Sequence, residues 1–315
     1  MIHTDLIIVG GGPGGAACAG RLKQAGVGCI LLDQAQFPRF KPCAGWITPQ
    51  IFADLGIRPE QYPHGLVTYH RFRISLNGIK FRLRTLQYAI RRVEFDAWLL
   101  ERADAEVRQH MVRQIRQEGA RYIVDDQYSA EYLIGAGGTH CPVRKALFSP
   151  NYAPQGTLIV AMEEEFSYPL VDKQCYLWFF ENHLPGYAWY LPKADGFVNI
   201  GVGGSASQLK ARGDSLRRHW NLLVKRLEDT GLIRGHAYEP SGHSYYLRSP
   251  RLQAQIGKAF LVGDAADLAT LDMGEGIHPA IRSGILAAEA IINGQEYSVA
   301  SIPKTSWPSL FGLRH

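Results

Sequence analysis

Nowhere in the 315-residue chain do apolar residues run on for the roughly eighteen positions that a membrane-spanning helix needs. The glycine-rich strand near the N-terminus also begins too early to leave room for a signal peptide. Five cysteines, Cys18, Cys29, Cys43, Cys141 and Cys175, are odd in number and form no C-x-x-C pair, which argues against both a disulfide framework and a zinc site. A reducing cytoplasm and no bound metal are the expectations. Internal repeats and low-complexity tracts are missing, so a repeat architecture is excluded. The net charge of +5 is mild and suits an anionic cofactor or an acidic membrane surface without calling for nucleic acid. With 46% apolar and 20% charged residues, the chain is globular, and long enough for one large domain or two interleaved ones.

What is present is concentrated first in one turn. Leu6-Ile7-Ile8-Val9 is a short continuous apolar run, the pattern of a strand buried on both faces. Gly10-Gly11-Gly12-Pro13-Gly14-Gly15 follows, and then the small, helix-compatible run Ala16 to Leu22. Gly10, Gly12 and Gly15 fit G-x-G-x-x-G: the first allows the tight turn, the second admits a pyrophosphate, and the third lets helix pack on strand. The helix N-terminus then aims unpaired N–H groups at an anion. A second apolar run, Gly28 to Leu32, ends in Asp33, about twenty residues beyond the glycines, where an acid can bind ribose hydroxyls.

Further along, Phe37 to Trp46 is a loop punctuated by two prolines and a glycine, and on residue types alone it reads as a surface loop around a buried cysteine. Residues 66–90 read as strands. Tyr69 to Leu76 and Ile79 to Arg84 alternate around Asn77-Gly78, a strong hairpin signal. Arg71, Arg73, Lys80, Arg82 and Arg84 share that hairpin with no acidic residue, the pattern of a solvated face or, less often, of one that meets an acidic ligand or lipid surface. Glu94 to Glu106 reads as a helix, 121–125 and 129–134 as short strands, and Asp214 to Thr230 as an amphipathic helix with Leu216, Trp220, Leu223 and Leu227 on its core stripe. Between 156 and 204 the chain is strand-like and aromatic, which fits either a sheet lining an apolar pocket or an ordinary aromatic core. Near the end, Ala259 to Val262 runs into Gly263-Asp264-Ala265-Ala266, and Gly274-Glu275-Gly276-Ile277 precedes a small-residue helix over Ala280 to Ile292. The stretch after Asn293 carries little pattern and is expected to be loosely ordered.

Four motifs thus occur in order: Gly10/Gly12/Gly15 with Asp33, Arg92-x-x-Phe95-Asp96, Gly135-Ala136-x-Gly138, and Gly263-Asp264-Ala265-Ala266. Three more are Pro38-Arg39-x-Lys41-x-Cys43-x-Gly45, Tyr187-x-Trp189-x-Leu191-Pro192, and Gly274-Glu275-Gly276-Ile277 with Ala280 and Ser283-Gly284. From about Asp5 to Ile292 the chain resembles a flavoprotein of the para-hydroxybenzoate hydroxylase-like fold, and within it the geranylgeranyl reductase branch, which saturates isoprenoid double bonds. The resemblance implies an α/β protein, a Rossmann-like FAD-binding domain with an interleaved antiparallel-sheet substrate domain forming a lid. Expected extents are 1–60, 90–150 and 251–300 for the first, 61–89 and 151–250 for the second, with 301–315 as a tail.

The resemblance also implies residue roles. The first glycines hold the FAD pyrophosphate and Asp33 the adenosine ribose, with Pro13, Gly14 and Gln34 in the same cofactor set. Arg39 and Arg92 make polar contacts to FAD, and Asp264 binds through the ribityl–pyrophosphate region. Gly135, Ala136, Gly137 and Gly263 belong to the cofactor set as well. The backbone of Gly274, Glu275, Gly276 and Ile277 faces the flavin pyrimidine edge. Cys43 lies near the isoalloxazine ring, and Ala44 and Gly45 belong to the cofactor set; in the mechanism this suggests, Cys43 or ordered water supplies the proton. Tyr187, Trp189 and Tyr190 wall the substrate channel.

The activity implied is reduction of carbon–carbon double bonds in an apolar, isoprenoid substrate. A second G-x-G-x-x-G is lacking, so no separate nicotinamide-binding domain is indicated. Electrons then come from visiting NAD(P)H or from a reduced ferredoxin or flavodoxin. A lipid substrate is compatible with peripheral membrane contact, helped by the basic hairpin. The rival reading on the same fold is a flavin-dependent monooxygenase or halogenase, although Tyr187-x-Trp189-x-Leu191-Pro192 is closer to the reductase form than to the halogenase Trp-x-Trp-x-Ile-Pro. A third is a flavin- or lipid-binding protein without catalysis. Three departures from the family pattern motivate it: Gly137 where Asp is usual, Asp267 where Gly follows Gly-Asp-Ala-Ala, and Leu271 where Pro is usual. A carboxylate at 267 is expected to weaken FAD binding by repulsion unless it points to solvent. The chain is also shorter than most reductases of the branch, mainly at its C-terminal end.

Overall fold

The computed structural model describes residues 1–148, 156–250 and 253–312. It divides into two compact units, Met1–Arg39 with Val93–Gly156 and Tyr246–Ser306, and Phe40–Arg92 with Thr157–Tyr245 and Trp307–His315. Residues 40–60, expected in the nucleotide domain, therefore group with the second unit. Residues 301–306 group with the first instead of forming a tail.

The first unit is built on a largely parallel sheet in the order Gln255–Ile256, Ala259–Leu261, Tyr128–Gly135, Ile2–Val9, Ile30–Asp33, Glu106–Gln109. Leu6 to Val9 lies in the middle, flanked in register by Leu133 to Gly135 and Ile30 to Leu32. Its burial on both faces is why that run is continuously apolar rather than alternating. Helices Pro13–Gln24 and Ile277–Asn293 approach so closely that a Cβ on Gly284 would lie 2.1 Å from the Gly14 carbonyl oxygen. The helix expected to reach Glu106 stops at Arg102. Asp104 adopts the left-handed conformation (φ 48°), which a short polar side chain tolerates, and frees Glu106–Gln109 to pair with Ile30–Asp33.

The second unit is an eight-stranded sheet in the order Ser241–Tyr246, Leu158–Ser167, Phe197–Ser205, Gly186–Pro192, Cys175–Phe179, Val67–Leu76, Ile79–Ala89, Trp46–Ile47. Helix Leu216–Asp229 covers one face, packing Trp220, Leu223 and Leu227 with Tyr190, Val198, Ile200 and Val202. Each such side chain contributes about 1.5–3 kcal/mol by leaving water. Successive side chains of a strand point to opposite faces, so Tyr187 and Trp189 lie on the other side from Tyr190. Among the described residues, no helix is long and apolar enough to cross a membrane.

The C-terminal stretch is pinned, against the expectation of loose order. The Tyr297 hydroxyl donates to Leu261 O (3.0 Å), and buried Arg248 donates to the carbonyls of Val299 (2.8 Å) and Ile302 (3.1 Å). The Ser306 N–H donates to the Asp272 carboxylate. These anchors lie far away in sequence, so local pattern could not announce them.

Candidate functional site

Three glycine-bearing turns of the first unit converge. Gly10, at φ +112°, sits so near the second turn that a Cβ would lie 2.4 Å from Ala136 O, and a Cβ on Gly15 would lie 1.9 Å from Gly10 O. A Cβ on Gly14 would lie 3.1 Å from both the Ala280 carbonyl oxygen and Val262 Cγ2, which brings in the third turn and the last long helix. There Gly263 donates its N–H to Ser283 Oγ (2.9 Å), whose own hydroxyl donates to Ala280 O (2.9 Å). Gly135 lies against Leu261, and Asp264 aims a carboxylate oxygen toward Gly276. Gly12 differs from the rest. A Cβ there would meet only Arg39, at 3.6 Å, so its lack of a side chain leaves open space rather than relieving a clash.

Two helix N-termini open onto this region. Gly12 precedes Pro13 and Gly276 precedes Ile277. Neither cap residue supplies a side-chain hydrogen bond, and neither first turn holds an acid. Such ends present orphan N–H groups and positive dipole ends, which suits the diphosphate and the electron-rich ring edge of FAD. The residues present therefore fit that cofactor. Within Gly274 to Ile277 the fit is narrower than expected. The Gly274 N–H is already given to Thr270 O (3.1 Å) and the Glu275 N–H to Thr270 Oγ1 (3.0 Å), leaving those of Gly276 and Ile277 for a ligand. Asp33 Oδ2 accepts the Gly11 N–H (2.6 Å) and Oδ1 that of Ala35 (2.8 Å), so this acid braces the turn. Gln34 is exposed beside it. Arg39 pairs with buried Asp96 (3.5 Å) and stacks on Phe37.

The three departures each have a local explanation. Asp267 neither points to solvent nor stands uncompensated: Arg144, also buried, holds it through Nη1–Oδ1 (2.7 Å) and Nη2–Oδ2 (3.3 Å). That pairing corrects the expected repulsion, since the carboxylate is neutralised where it lies. A Cβ on Gly137 would sit 3.2 Å from both Cys141 Cα and Pro142 Cδ, so a larger residue would crowd this turn. Leu271 donates its N–H to Lys304 O (2.9 Å), a bond that proline could not make.

In the second unit a buried polar cluster lies under the Cys43 loop. Glu163 accepts the Cys43 N–H on Oε1 (2.5 Å) and an Asn199 amide N–H on Oε2 (3.2 Å), while Trp189 Nε1 donates to Asn199 Oδ1 (2.7 Å). Gly201, opposite Trp189, makes room for the indole. Burial pushes the Glu163 carboxyl up to about 7, against the opposing pull of Lys193, the Cys43 N–H and Asn199. Neighbouring Glu165 binds buried Lys193 and Arg91 (2.9 Å). Cys43 Sγ accepts the Gly45 N–H (3.4 Å); Ala44 is half-buried, and Gly45, at φ +70°, is wedged against Ile90 O and Lys193.

Tyr190 is a core residue, its hydroxyl bonded to Asp172 O (2.9 Å), against the expectation that it lines the channel. Arg92 is buried, and with Lys41 its positive charge acts on His243, whose Nδ1 is buried without a hydrogen-bond partner. Burial first, and then those two cations, push His243 down to about 4. Glu163, Asn199, Arg144 and His243 had no motif to mark them. For Arg144 the one available signal was Asp267 itself, since a buried carboxylate implies a partner.

A family model described as an FAD binding domain matches residues 3–68. The chain is 30% identical over 312 residues to an uncharacterized protein of Methanosarcina barkeri, covering 92% of this chain and 75% of that one. It is 28% identical to digeranylgeranylglycerophospholipid reductase 1 of Methanopyrus kandleri, covering 94% and 82%. Among solved structures, a geranylgeranyl bacteriochlorophyll reductase-like protein from Thermoplasma acidophilum shares the fold with a TM-score of 0.79 at 21% identity, covering 95% and 81%.

Proposed function

The chain belongs to the geranylgeranyl reductase-like family of FAD-dependent oxidoreductases, and on that premise we propose that it reduces carbon–carbon double bonds of an isoprenoid lipid. The observation that carries the reading is the convergence of three glycine turns and two uncapped helix N-termini, with space left at Gly12. When bound there, FAD supplies the hydride chemistry. Gly12 and the N–H groups that follow it cradle the diphosphate, Arg39 adds positive charge, and Asp33 uses its remaining lone pairs for the ribose. The N–H groups of Gly276 and Ile277 stabilise negative charge on the ring edge.

Cys43 donates the proton that completes saturation, and Glu163 holds its loop from below. Tyr187 and Trp189 wall the substrate channel. Electrons come from outside the chain, from NAD(P)H or a reduced ferredoxin or flavodoxin, and the lipid reaches the site from a membrane surface. The test is anaerobic turnover of a polyprenyl substrate, with dithionite or NADPH supplied as the electron source, by the purified, FAD-loaded protein and its Cys43→Ser variant. Saturated product in the absence of oxygen, with the rate of the variant reduced at least about tenfold, is the expected result. A strict need for oxygen would overturn the reductase reading, and an undiminished variant would remove Cys43 as donor.

A further inference from the structure

Strands Val67–Leu76 and Ile79–Ala89 project a hairpin whose two faces differ in kind. Register pairs Arg71 with Arg84, Arg73 with Arg82 and Ser75 with Lys80 on one face, and Phe72 with Leu83, Ile74 with Phe81 and Leu76 with Ile79 on the other. The apolar face is core only at its base. Phe72, Ile74 and Leu83 are buried, whereas Leu76 is 41%, Phe81 45% and Ile79 71% exposed. Phe180, 53% exposed, joins them at the tip, because the Asn77 N–H donates to Phe179 O (3.0 Å).

The cations are equally unaccounted for by the protein itself. Arg73 is used locally by Gln174 and the Tyr176 ring. Among the described residues no carboxylate pairs with Arg71, Lys80, Arg82 or Arg84, all exposed, and the hairpin contains no acid. Outside its pairing with Trp46–Ile47 at Tyr88 and Ala89, the outer edge of the second strand has no strand partner among the described residues. A projecting tip with exposed apolar side chains on one face and cations without carboxylate partners on the other is complementary in charge and polarity to an anionic bilayer. At about 3.3 Å per residue, Arg82 lies roughly 10–15 Å behind the turn. An amphipathic element buries its apolar part about 5–10 Å into the headgroup–acyl boundary, so Arg82 falls near the phosphates, Lys80 reaches back to them along its flexible stem, and Arg71 and Arg84 face the anionic surface from outside it.

We propose that this hairpin tip docks the protein on anionic phospholipid bilayers, with Leu76, Ile79, Phe81 and Phe180 entering the interface while Lys80 and Arg82 meet the phosphates and Arg71 and Arg84 add attraction to the anionic surface from behind them. The proposal stands on the hairpin alone and does not require the reductase reading. It is tested by co-sedimentation of the full chain with vesicles of phosphatidylcholine, with or without phosphatidylglycerol. Binding to the anionic vesicles, weakened by salt, is expected. Lys80→Gln with Arg82→Gln should weaken it about ten- to thirty-fold. Ile79→Ser with Phe81→Ser should weaken it at least about tenfold. Circular dichroism should be unchanged in both, because the altered side chains are exposed. Failure of the wild type to bind anionic vesicles, or undiminished binding by both variants, would overturn the proposal. So would concentration-dependent self-association in the absence of lipid that both variants abolish, since a second copy would then be the occupant.

Discussion

Asp267 and Arg144 form a two-pronged ion pair, both side chains buried, beneath the turn that carries Gly263 and Asp264. Asp267 also holds a left-handed backbone conformation (φ 51°) that glycine would adopt without strain. Removing one partner leaves a buried charge alone, so Arg144→Met should cost about 3–5 kcal/mol of stability. Arg144→Met combined with Asp267→Gly should recover most of that loss. Urea unfolding of the single and double variants measures the coupling.

Glu163 predicts a pH dependence whose sign is set by its raised carboxyl. Between about 4.5 and about 7 the folded protein keeps a proton that the unfolded chain has released. The contribution of this group is therefore most favourable below 4.5 and is lost as the pH rises through 7, by roughly 3 kcal/mol. Glu163→Gln should flatten that slope, whatever its effect on absolute stability. Thermal or urea unfolding from pH 4.5 to 8 checks it, and an unchanged slope would reject the assignment.

Two glycines of the first turn should separate folding from cofactor binding. Gly10→Ala places a Cβ 2.4 Å from a backbone oxygen at a φ that alanine resists, and should destabilise the fold by at least about 3 kcal/mol. Gly12→Ala has room and an ordinary φ of −68°, so it should fold within about 1 kcal/mol of the wild type. Its methyl group would occupy the space offered to the diphosphate, so flavin affinity should fall at least about tenfold. Thermal unfolding and the visible absorbance of bound flavin read the two effects separately.

The C-terminal stretch should prove part of the first unit. Tyr297→Phe removes the hydroxyl bonded to Leu261 O and should cost about 1 kcal/mol. Ending the chain before Tyr297 takes away the carbonyls that hold buried Arg248 and should cost more than about 3 kcal/mol. Unfolding curves of both variants test this, and a truncated chain as stable as the whole would contradict it.

Local chemistry alone determined a good part of this protein. The strand from Leu6 to Val9, the turn at Gly10 to Gly15, the Asn77-Gly78 hairpin and the stripe of helix Leu216–Asp229 were legible because each depends on residues a few positions apart. The resemblance of ordered motifs carried the family and the cofactor. Tertiary structure decided what those elements meet: that Asp267 is neutralised by Arg144, that Glu163 is buried under the Cys43 loop, that Tyr190 belongs to the core, and that Ser306 returns to Asp272. Spacing rules report periodicity and turn preference. Whether a distant charge is buried, and which group then satisfies it, depends on how the folded chain excludes water, and only the assembled three-dimensional packing settles that.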